Sequence, residues 1–378
     1  MKTVYLDNAA TTKIDDEVIE VMHAAMKENY GNPSSIHQFG RTAKSAVETA
    51  RKNIASHFKA SASEIIFTSG GTEADNLILY NAVLNLGVKR ILTSKIEHHA
   101  VLHTVKYLSK AYNISVDYVK VNEFGEIDLQ HLEELLISFN VKTLVSLMHI
   151  NNEIGAILDL QRVAQLCKQH DAFFHSDTVQ TIGHFPLNLE QYPVDFIVAS
   201  AHKFHGPKGV GFAYFKKGFG ILPMLHGGDQ EKGARSGTEN VHAILGMEKA
   251  LQIALNNIEE DKKYILELKS FFISELKTIN NKIQFNGNSD DLVKNSYTIL
   301  NVRLPQENAM LLFSLDLAGI SVSGGSACQS GSNSGSHVLL EILTPEENNK
   351  TSIRFSFSKY TTKEDIAYTI KKLKEILD

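Results

Sequence analysis

The sequence is poor in the features that mark secreted, membrane and fibrous proteins. It has two cysteines, Cys167 and Cys328, which cannot form a disulfide framework, so a reducing cytoplasm is expected. No apolar run approaches the length of a membrane helix, and Asp7 and Asn8 lie where a secretory signal would need apolar residues. We therefore expect a cytoplasmic protein without a membrane anchor.

Charge of one sign is not concentrated anywhere in the chain. The 38 basic and 43 acidic residues give a net charge of −5, without any long single-sign block. This excludes a basic stripe for nucleic acid and a polybasic membrane segment. With 43% apolar residues and only 7 prolines among 378 residues, the composition predicts a globular protein with a large core.

The pattern of apolar runs indicates an α/β fold. Runs rich in β-formers alternate with amphipathic helical stretches, and most of them lack the polar alternation of a half-exposed strand. A mostly parallel, seven-stranded sheet flanked by helices on both faces is therefore predicted. Binding residues are expected at the strand C-termini. The seven runs are 65–69, 90–94, 116–121, 142–148, 172–177, 195–200 and 209–215.

The remainder of the chain indicates a smaller α+β domain. One long helix is predicted from about Glu239 to Leu276, as a connector between the two domains. Strands near 296–302 and 352–357, a helix near 309–318 and a last helix ending at Asp378 follow. A tract of serine and glycine at about 321–336 contains Cys328.

Two strand ends carry groups that suit a phosphorylated cofactor. Ser69 to Glu73, with Gly70 and Gly71, precede a helix, where glycines let backbone N–H groups approach an anion and Thr72 can cap the helix. The alternative is an ordinary tight turn. Lys203, in Ser200-Ala201-His202-Lys203, stands at another strand end and suits Schiff-base chemistry, although Lys208 competes with it.

Asp177 follows a third strand and is a candidate partner for a pyridinium nitrogen, or else an N-cap for the segment that begins at Thr178. A phosphate cup, a lysine and an aspartate at the edge of one sheet together predict a pyridoxal phosphate site. His98, at a strand-to-helix junction, can stack on an aromatic cofactor and move protons. His99 and His103 have the spacing of a zinc pair, but no third ligand is evident, so no metal site is predicted.

The two cysteines have different surroundings in the sequence. Cys167 lies on one helical face with Val163, Leu166 and His170, which predicts a buried structural thiol. Cys328 lies in a polar Gly/Ser tract, where a thiol can collect a group and pass it on. The alternative is an incidental cysteine in a linker.

Several motifs, taken in order, strongly resemble those of the cysteine desulfurases, which are pyridoxal-phosphate enzymes of the class V aminotransferase family and of fold type I. The long loop around Cys328 is similar to the group I type, which serves iron–sulfur cluster assembly and tRNA thiolation. The resemblance covers essentially the whole chain. The motifs are YLDNAATT (5–12), YGNPSSIHQFG (30–40), FTSGGTEADN (67–76), EHHAV (97–101), MHINNEIG (148–155), SAHK (200–203), RSGTENV (235–241), SGGSAC (323–328) and SIRFS (352–356).

The resemblance assigns a role to each candidate residue. Lys203 would form the Schiff base and move protons, Asp177 would pair with the ring nitrogen, and His98 would stack on the ring. Cys328 would take the sulfur of L-cysteine as a persulfide, with L-alanine as the second product. The remaining assignments are Gln180 and Asn152 near the ring hydroxyl, Gly71, Thr72, Ser200 and His202 at the phosphate, and Arg354, with Asn152, at the substrate.

The resemblance also implies an assembly. Thr238 matches a threonine that closes the phosphate site of the second subunit, so a homodimer is expected, together with a sulfur-acceptor protein. The expected domains are residues 15–250, and residues 1–14 with 251–378. Two departures are Ala201, where the family usually has glycine, and a short C-terminus that puts docking of an iron–sulfur scaffold in doubt.

Three alternatives remain at this point. A selenocysteine lyase or a plain class V aminotransferase would use the same Lys203, Asp177 and Arg354, but the aminotransferase has no need for the Cys328 thiol. A catalytically silent sulfur carrier would need Cys328 alone and would be colourless.

Overall fold

The computed structural model describes residues 2–324 and 335–377. Within these ranges the strands are β1 (Val4–Tyr5), β2 (Ile65–Thr68), β3 (Arg90–Thr93), β4 (Ser115–Tyr118), β5 (Thr143–Ser146), β6 (Phe173–Ser176), β7 (Phe196–Ser200), β8 (Gly211–Phe215), β9 (Gln284–Phe285), β10 (Ile299–Arg303), β11 (Ile320–Ser321) and β12 (Ser352–Ser356). The helices are α1 (Asp16–Glu28), α2 (Gln38–His57), α3 (Gly71–Leu84), α4 (His99–Tyr112), α5 (Leu129–Ser138), α6 (Leu160–Gln169), α7 (Val241–Asn256), α8 (Ile258–Ile279), α9 (Leu311–Leu317), α10 (His337–Ile342), α11 (Pro345–Asn348) and α12 (Lys363–Leu377).

The large sheet has the order β2-β8-β7-β6-β5-β3-β4 within the described ranges. Strand β8 runs antiparallel to β2 and β7, and the other neighbours are parallel. Each apolar run predicted as a strand contributes one strand, so the mostly parallel, seven-stranded sheet is confirmed. The central strands are buried on both faces, whereas the edge strand β4 is half exposed, which explains their different polarity.

Side chains that alternate along the strands build a separate core on each face of this sheet. Ile65 and Phe67 of β2 pack into a cluster with residues of α1, α2, α5, α6 and α7. Ile66, between them, packs into a second cluster with residues of α3 and α4. The sheet is therefore the middle layer of three. The helices do not cover the loops that follow the carboxyl ends of its strands.

A smaller antiparallel sheet, β12-β10-β9, lies against α8, α9 and α12. The N-terminal strand β1 pairs in parallel with β11, and Val4 and Leu6 share a core cluster with Phe272, Leu300 and Phe355. The first residues of the chain thus pack with its last third.

The prediction of one long helix from Glu239 to Leu276 is wrong, because the segment forms α7 and α8. Asn257 separates them with a non-helical backbone (φ −110°, ψ 8°), and its side-chain amide donates to the carbonyl of Ile253. Helix α7 packs on the large-sheet core, whereas α8 packs on the core of the smaller sheet. Two separate cores therefore require a break that helical periodicity does not reveal.

Strands β2, β6 and β7 point the same way, so their C-termini meet at one edge of the sheet. The segments that follow them contain Gly70, Asp177 and Lys203, respectively. Convergence of strand ends is the general way in which open α/β sheets assemble a binding site. Among the described residues, no helix combines the length and apolar character needed to span a bilayer.

Candidate active site

A cavity of about 550 Å³ opens at this edge of the sheet. The structure brings most of the predicted site residues to its wall, from three strand ends, the start of α4 and the strand β12. Those predicted residues are Gly71, Thr72, His98, Asn152, Asp177, Gln180, Ser200, His202, Lys203 and Arg354. Groups separated by up to 283 positions in the sequence therefore share one space, since Gly71 and Arg354 both line it.

The N-terminus of α3 is the end of the cavity that suits an anion. The first N–H groups of a helix have no intrahelical acceptor, so they are available to an anion. A Cβ atom at Gly71 would lie 2.7 Å from Cγ2 of Val179, and Gly70 has a φ of +152° beside Oγ of Ser200. Gly71 is thus needed for close packing on the loop that follows β6, and Gly70 is needed for its positive φ.

The expectation that Thr72 caps α3 is wrong. The N-cap is Gly70, which has no side-chain acceptor, and Thr72 lies inside the first turn at the wall of the cavity. Instead, the carboxylate of Glu73 accepts the N–H of Ser69 at 2.7 Å and binds Arg235 at 2.8 Å. Because the carboxylate of Glu73 accepts the backbone N–H before the helix, the hydroxyl of Thr72 is not needed for capping.

Lys203 lies on a single helical turn that follows β7. Its Nζ donates to the carbonyls of Ala9 and Ala10 at 2.6 and 2.8 Å, so the N-terminal segment holds the amine at the cavity. His202 contacts the same segment, with its Nδ1 3.2 Å from Oγ1 of Thr11. Lys208 also lines the cavity, but its side chain is exposed. The turn forms with Ala201 fully buried, so it accommodates alanine where the family usually has glycine.

Asp177 is buried at the end of β6, and its Oδ1 accepts the N–H of Val179 at 2.9 Å. The segment from Thr178 forms a turn and not a helix, so the alternative of a helix N-cap for Asp177 is wrong. Burial raises the pKa of Asp177, and the charge of Lys203 opposes this rise. A cationic ring nitrogen in the cavity would be a favourable partner for such a carboxylate.

His98 is the N-cap of α4, and its Nδ1 accepts the N–H of Ala100 at 3.1 Å. Burial, followed by the charge of Lys203, lowers the pKa of His98 to about 4. The imidazole is therefore neutral, with its proton on Nε2. A flat neutral ring at the cavity wall can stack on an aromatic group, and its Nε2–H can donate a hydrogen bond.

Arg354 of β12 reaches the cavity from the smaller sheet. Its Nη1 donates to the carbonyl of Asn152 at 2.9 Å, and its Nη2 donates to Oδ1 of Asp7 at 2.8 Å. The sequence reasoning missed Asp7 as a functional residue, although it lies within the motif YLDNAATT. No local pattern reveals that Asp7 pairs with a residue near the other end of the chain.

The remaining predicted residues lie as follows. Gln180 donates from Nε2 to the carbonyl of Ala9 at 3.0 Å and lines the cavity. Thr238 is exposed, and the cavity of its own chain is not lined by it. Cys167 is buried in α6, as predicted, and burial raises its pKa. Cys328 lies outside the described residues.

The chain matches the family model "Aminotransferase class-V" over residues 4–368. It is 43% identical to "Cysteine desulfurase IscS" of Dictyoglomus turgidum, with 100% of this chain and 95% of that protein covered. It is 40% identical to the protein of the same description from Methanosarcina thermophila, over 100% and 92% of the two chains. These matches extend over both parts of the fold.

Solved structures agree with this. A "NIFS-LIKE PROTEIN" superposes with a TM-score of 0.91 at 39% identity and covers 100% of this chain and 99% of its own. A NifS-like protein from Rickettsia africae superposes with a TM-score of 0.89 at 38% identity, over 100% of both chains. The architecture described above is therefore that of NifS-like proteins.

Proposed function

Because this chain belongs to the class V aminotransferase family, we propose that it is a cysteine desulfurase that converts L-cysteine to L-alanine and keeps the sulfur on Cys328 as a persulfide. Its cofactor is pyridoxal phosphate, on which the family depends. The observation that carries the proposal is that Lys203, Asp177, His98 and Arg354 line one cavity beside the N-terminus of α3.

The residues of the cavity fit pyridoxal phosphate. The glycine turn before α3 offers backbone N–H groups to a phosphate, and added Cβ atoms would crowd it. The buried carboxylate of Asp177 suits a protonated ring nitrogen, and the primary amine of Lys203 suits an aldehyde. Gly71, Thr72, Ser200 and His202, with Thr238 of the partner subunit, would hold the phosphate, and Gln180 and Asn152 would lie near the ring hydroxyl.

When bound, the cofactor supplies an electron sink that makes the C–S bond of the substrate breakable. Arg354 would bind the substrate carboxylate, where a planar guanidinium gives two directed hydrogen bonds. Lys203 and the neutral imidazole of His98 would move protons at the substrate carbon and sulfur. These side chains are anchored on regular elements of the fold, which keeps their reacting groups in position.

The sulfur transfer is balanced through the Cys328 thiolate. Its sulfur attacks the substrate sulfur, an S–S bond forms, and the C–S bond breaks with its electron pair left on the carbon side. Protonation of that carbon gives alanine, and Cys328 carries the persulfide. A sulfur-acceptor protein, an iron–sulfur scaffold or a tRNA-thiolation enzyme, would then remove the outer sulfur. The need for a free thiolate places this reaction in the reducing cytoplasm.

The chain would act as a homodimer of two-domain subunits. The exposed position of Thr238 supports its proposed role at the site of the second subunit. The shared packing of Val4 and Leu6 with the last third of the chain supports a smaller domain formed by residues 1–14 and 251–378, beside a large domain over 15–250. The end of α7 departs from this boundary, because Leu251 and Ala254 pack in the large-sheet core. Arg354 and Asp7 then approach the cofactor site from the smaller domain.

Alanine released from L-cysteine, measured in the presence of a reductant, tests the function. Wild-type protein is expected to release alanine and sulfide in equal amounts, and Cys328→Ala is expected to keep the yellow colour of the cofactor but to lose both products. Cys167→Ala is the matched control, because it removes the buried thiol and keeps Cys328. Full release by Cys328→Ala, or none by the yellow wild type, would contradict the proposal, the latter favouring transamination.

Selenocysteine as substrate separates the closest alternative. A selenocysteine lyase would release alanine from selenocysteine and none from L-cysteine under the same conditions. A silent sulfur carrier would be colourless and release alanine from neither. The proposed desulfurase needs measurable release from L-cysteine that depends on Cys328.

A further inference from the structure

Three carboxyl groups are buried near the part of the cavity where the cofactor ring would lie. Asp75 of α3 and Asp177 after β6 line the cavity itself, and Glu97 lies just before α4. Burial, followed by the charges on Asp177 and Glu97, raises the pKa of Asp75. Lys203 is the lysine whose charge acts on Asp177. Three buried carboxylates beside one lysine cannot all be ionised, because like charges in a low-dielectric site keep protons.

Glu97 accepts hydrogen bonds from several groups. The N–H of Met148 lies 3.0 Å from each of its oxygens, and the hydroxyl of Ser94 lies 2.9 Å away. Despite these bonds, burial raises the pKa of Glu97 to about 8. Glu97 is therefore mostly protonated at neutral pH, which leaves Asp75 and Asp177 to account for.

Oδ1 of Asp75 faces the imidazole of His175. Oδ1 of Asp75 lies 3.4 Å from Nε2 of His175, and each of these two buried atoms is without a hydrogen bond among the described residues. The other imidazole nitrogen, Nδ1, lies 2.9 Å from Oγ of Ser146. Asp75 and His175 are 1% and 0% exposed, so both are buried, and buried polar atoms are usually hydrogen-bonded.

The position of one proton decides the charge of this pair. If Nδ1 of His175 carries a proton toward Ser146, a second proton must lie between Nε2 and Oδ1, since two lone pairs would otherwise face each other in a buried space. The pair is then neutral. If Nδ1 is bare and Nε2 carries the only imidazole proton, no second proton is shared, and Asp75 is an anion when its Oδ2 is also bare. Burial favours the first arrangement, because it leaves no net charge on the pair.

We propose that Asp75 and His175 are a positioning pair that shares one proton and carries no net charge, so that Asp177 is the single carboxylate presented to the cofactor ring nitrogen. The inference rests on the cofactor site and on the role of Asp177 in the proposed function. Asp75 and His175 act through Asp177, since a second anion beside it would raise its proton affinity and weaken its pairing with the ring.

The proton on Nδ1 can be observed directly in the wild-type holoenzyme. Histidine-selective ¹⁵N labelling, with His175 assigned by its absence in His175→Gln, gives a ¹H–¹⁵N correlation for each bonded proton. We expect a bonded proton on Nδ1 of His175 that does not titrate between pH 6 and 9. A bare Nδ1 with a proton on Nε2 would overturn the inference, because the pair is then an anion or holds its second proton on Oδ2 of Asp75, outside the shared position.

Affinity for pyridoxal 5′-phosphate provides a second readout. With apoprotein in equilibrium dialysis, Asp75→Ala is expected to raise the Kd about tenfold, and Asp75→Asn to recover most of that loss, because a neutral amide can donate to Nε2 as the protonated carboxyl does. Equal losses in the two variants would mean that the negative charge matters, and no loss in either would remove the pair from the site.

The two proposals can fail separately. A holoenzyme that binds pyridoxal 5′-phosphate, keeps the Nδ1 proton and releases no alanine from L-cysteine would contradict the desulfurase function and leave this inference intact. A desulfurase with a bare Nδ1 would contradict the inference alone.

Discussion

Arg354 and Asp7 form an ion pair at 2.8 Å, although 347 residues separate them in the sequence. The guanidinium is 1% exposed, and its other terminal nitrogen donates to the carbonyl of Asn152. Ser323 donates to the same Asp7 oxygen at 2.8 Å. Asp7 therefore fixes the plane of the guanidinium that would bind the substrate carboxylate.

Replacing Asp7 is expected to impair substrate binding more than turnover. In Asp7→Ala the guanidinium loses its orienting carboxylate, so we expect the KM for L-cysteine to rise about tenfold with a smaller change in kcat. Steady-state release of alanine measures both constants. Asp316→Ala, at an exposed position, is the matched control. An unchanged KM would show that Arg354 needs no help from Asp7.

Mixed dimers test the proposed contribution of Thr238 to the other subunit. Lys203→Ala and Thr238→Ala homodimers are each expected to have little activity. A hybrid of the two contains one site with both Lys203 and Thr238 intact, so mixing and reassembling the chains should restore up to about half of the wild-type activity per dimer.

The controls for this experiment are the same two variants reassembled separately. A further control is a double variant that carries Lys203→Ala and Thr238→Ala on one chain. Its hybrid with the wild type should contain no complete site, in contrast to the hybrid of the two single variants. If the single-variant hybrid stays inactive while its chains associate, Thr238 does not serve the partner subunit.

The glycine turn before α3 gives a third prediction. A methyl group at Gly71 would lie 2.7 Å from Cγ2 of Val179, so Gly71→Ala must displace the turn or the loop after β6. We expect the affinity for pyridoxal 5′-phosphate to fall about tenfold, measured by dialysis. Gly220→Ala is the control, because its Cβ would meet only one atom at 3.9 Å. Equal affinities would exclude close packing as the reason for glycine.

The sequence predicts much of this site because strand ends are local features. The runs ending near Thr68, Ser176 and Ser200 are rich in apolar residues, and each is followed by a polar group. The convergence of the glycine turn, Asp177 and Lys203 therefore follows from the parallel topology. Contacts between side chains of different elements were not predicted. The pairing of Asp75 with His175 is an example, because it joins a helix to a strand and no local pattern reveals it.

Two other failures have the same origin. Thr72 has the right type for a cap, but Glu73 binds both Ser69 and Arg235 and relieves it of that role. The helical pattern continues through Asn257, but the two cores on either side require a change of direction. In both cases a tertiary contact overrides a valid local preference.

Lys269 has no part in the proposed chemistry, yet it is fully buried in α8. Its Nζ donates to the carbonyl of Ser296 at 2.7 Å, and the N–H of Ser296 donates to the carbonyl of Gly155, which follows β5 of the large sheet. Burial lowers the pKa of Lys269 from 10.5 to about 7, against the opposing charges of Asp290 and Asp291. The lysine therefore loses its proton in the folded chain at a pH where the unfolded chain keeps it.

This difference gives the protein a pH-dependent stability that Lys269→Met should remove. Between pH 7 and 10.5 the unfolded chain binds more protons than the folded chain, so the free energy of unfolding rises with pH in the wild type. Between pH 7 and pH 9 the free energy of unfolding should rise by about 2 kcal/mol more in the wild type than in Lys269→Met, measured by urea unfolding. Lys263→Met, exposed on the same helix, is the control. If both variants keep the wild-type slope, Lys269 remains charged in the folded protein and the carbonyl of Ser296 stabilises its ammonium form.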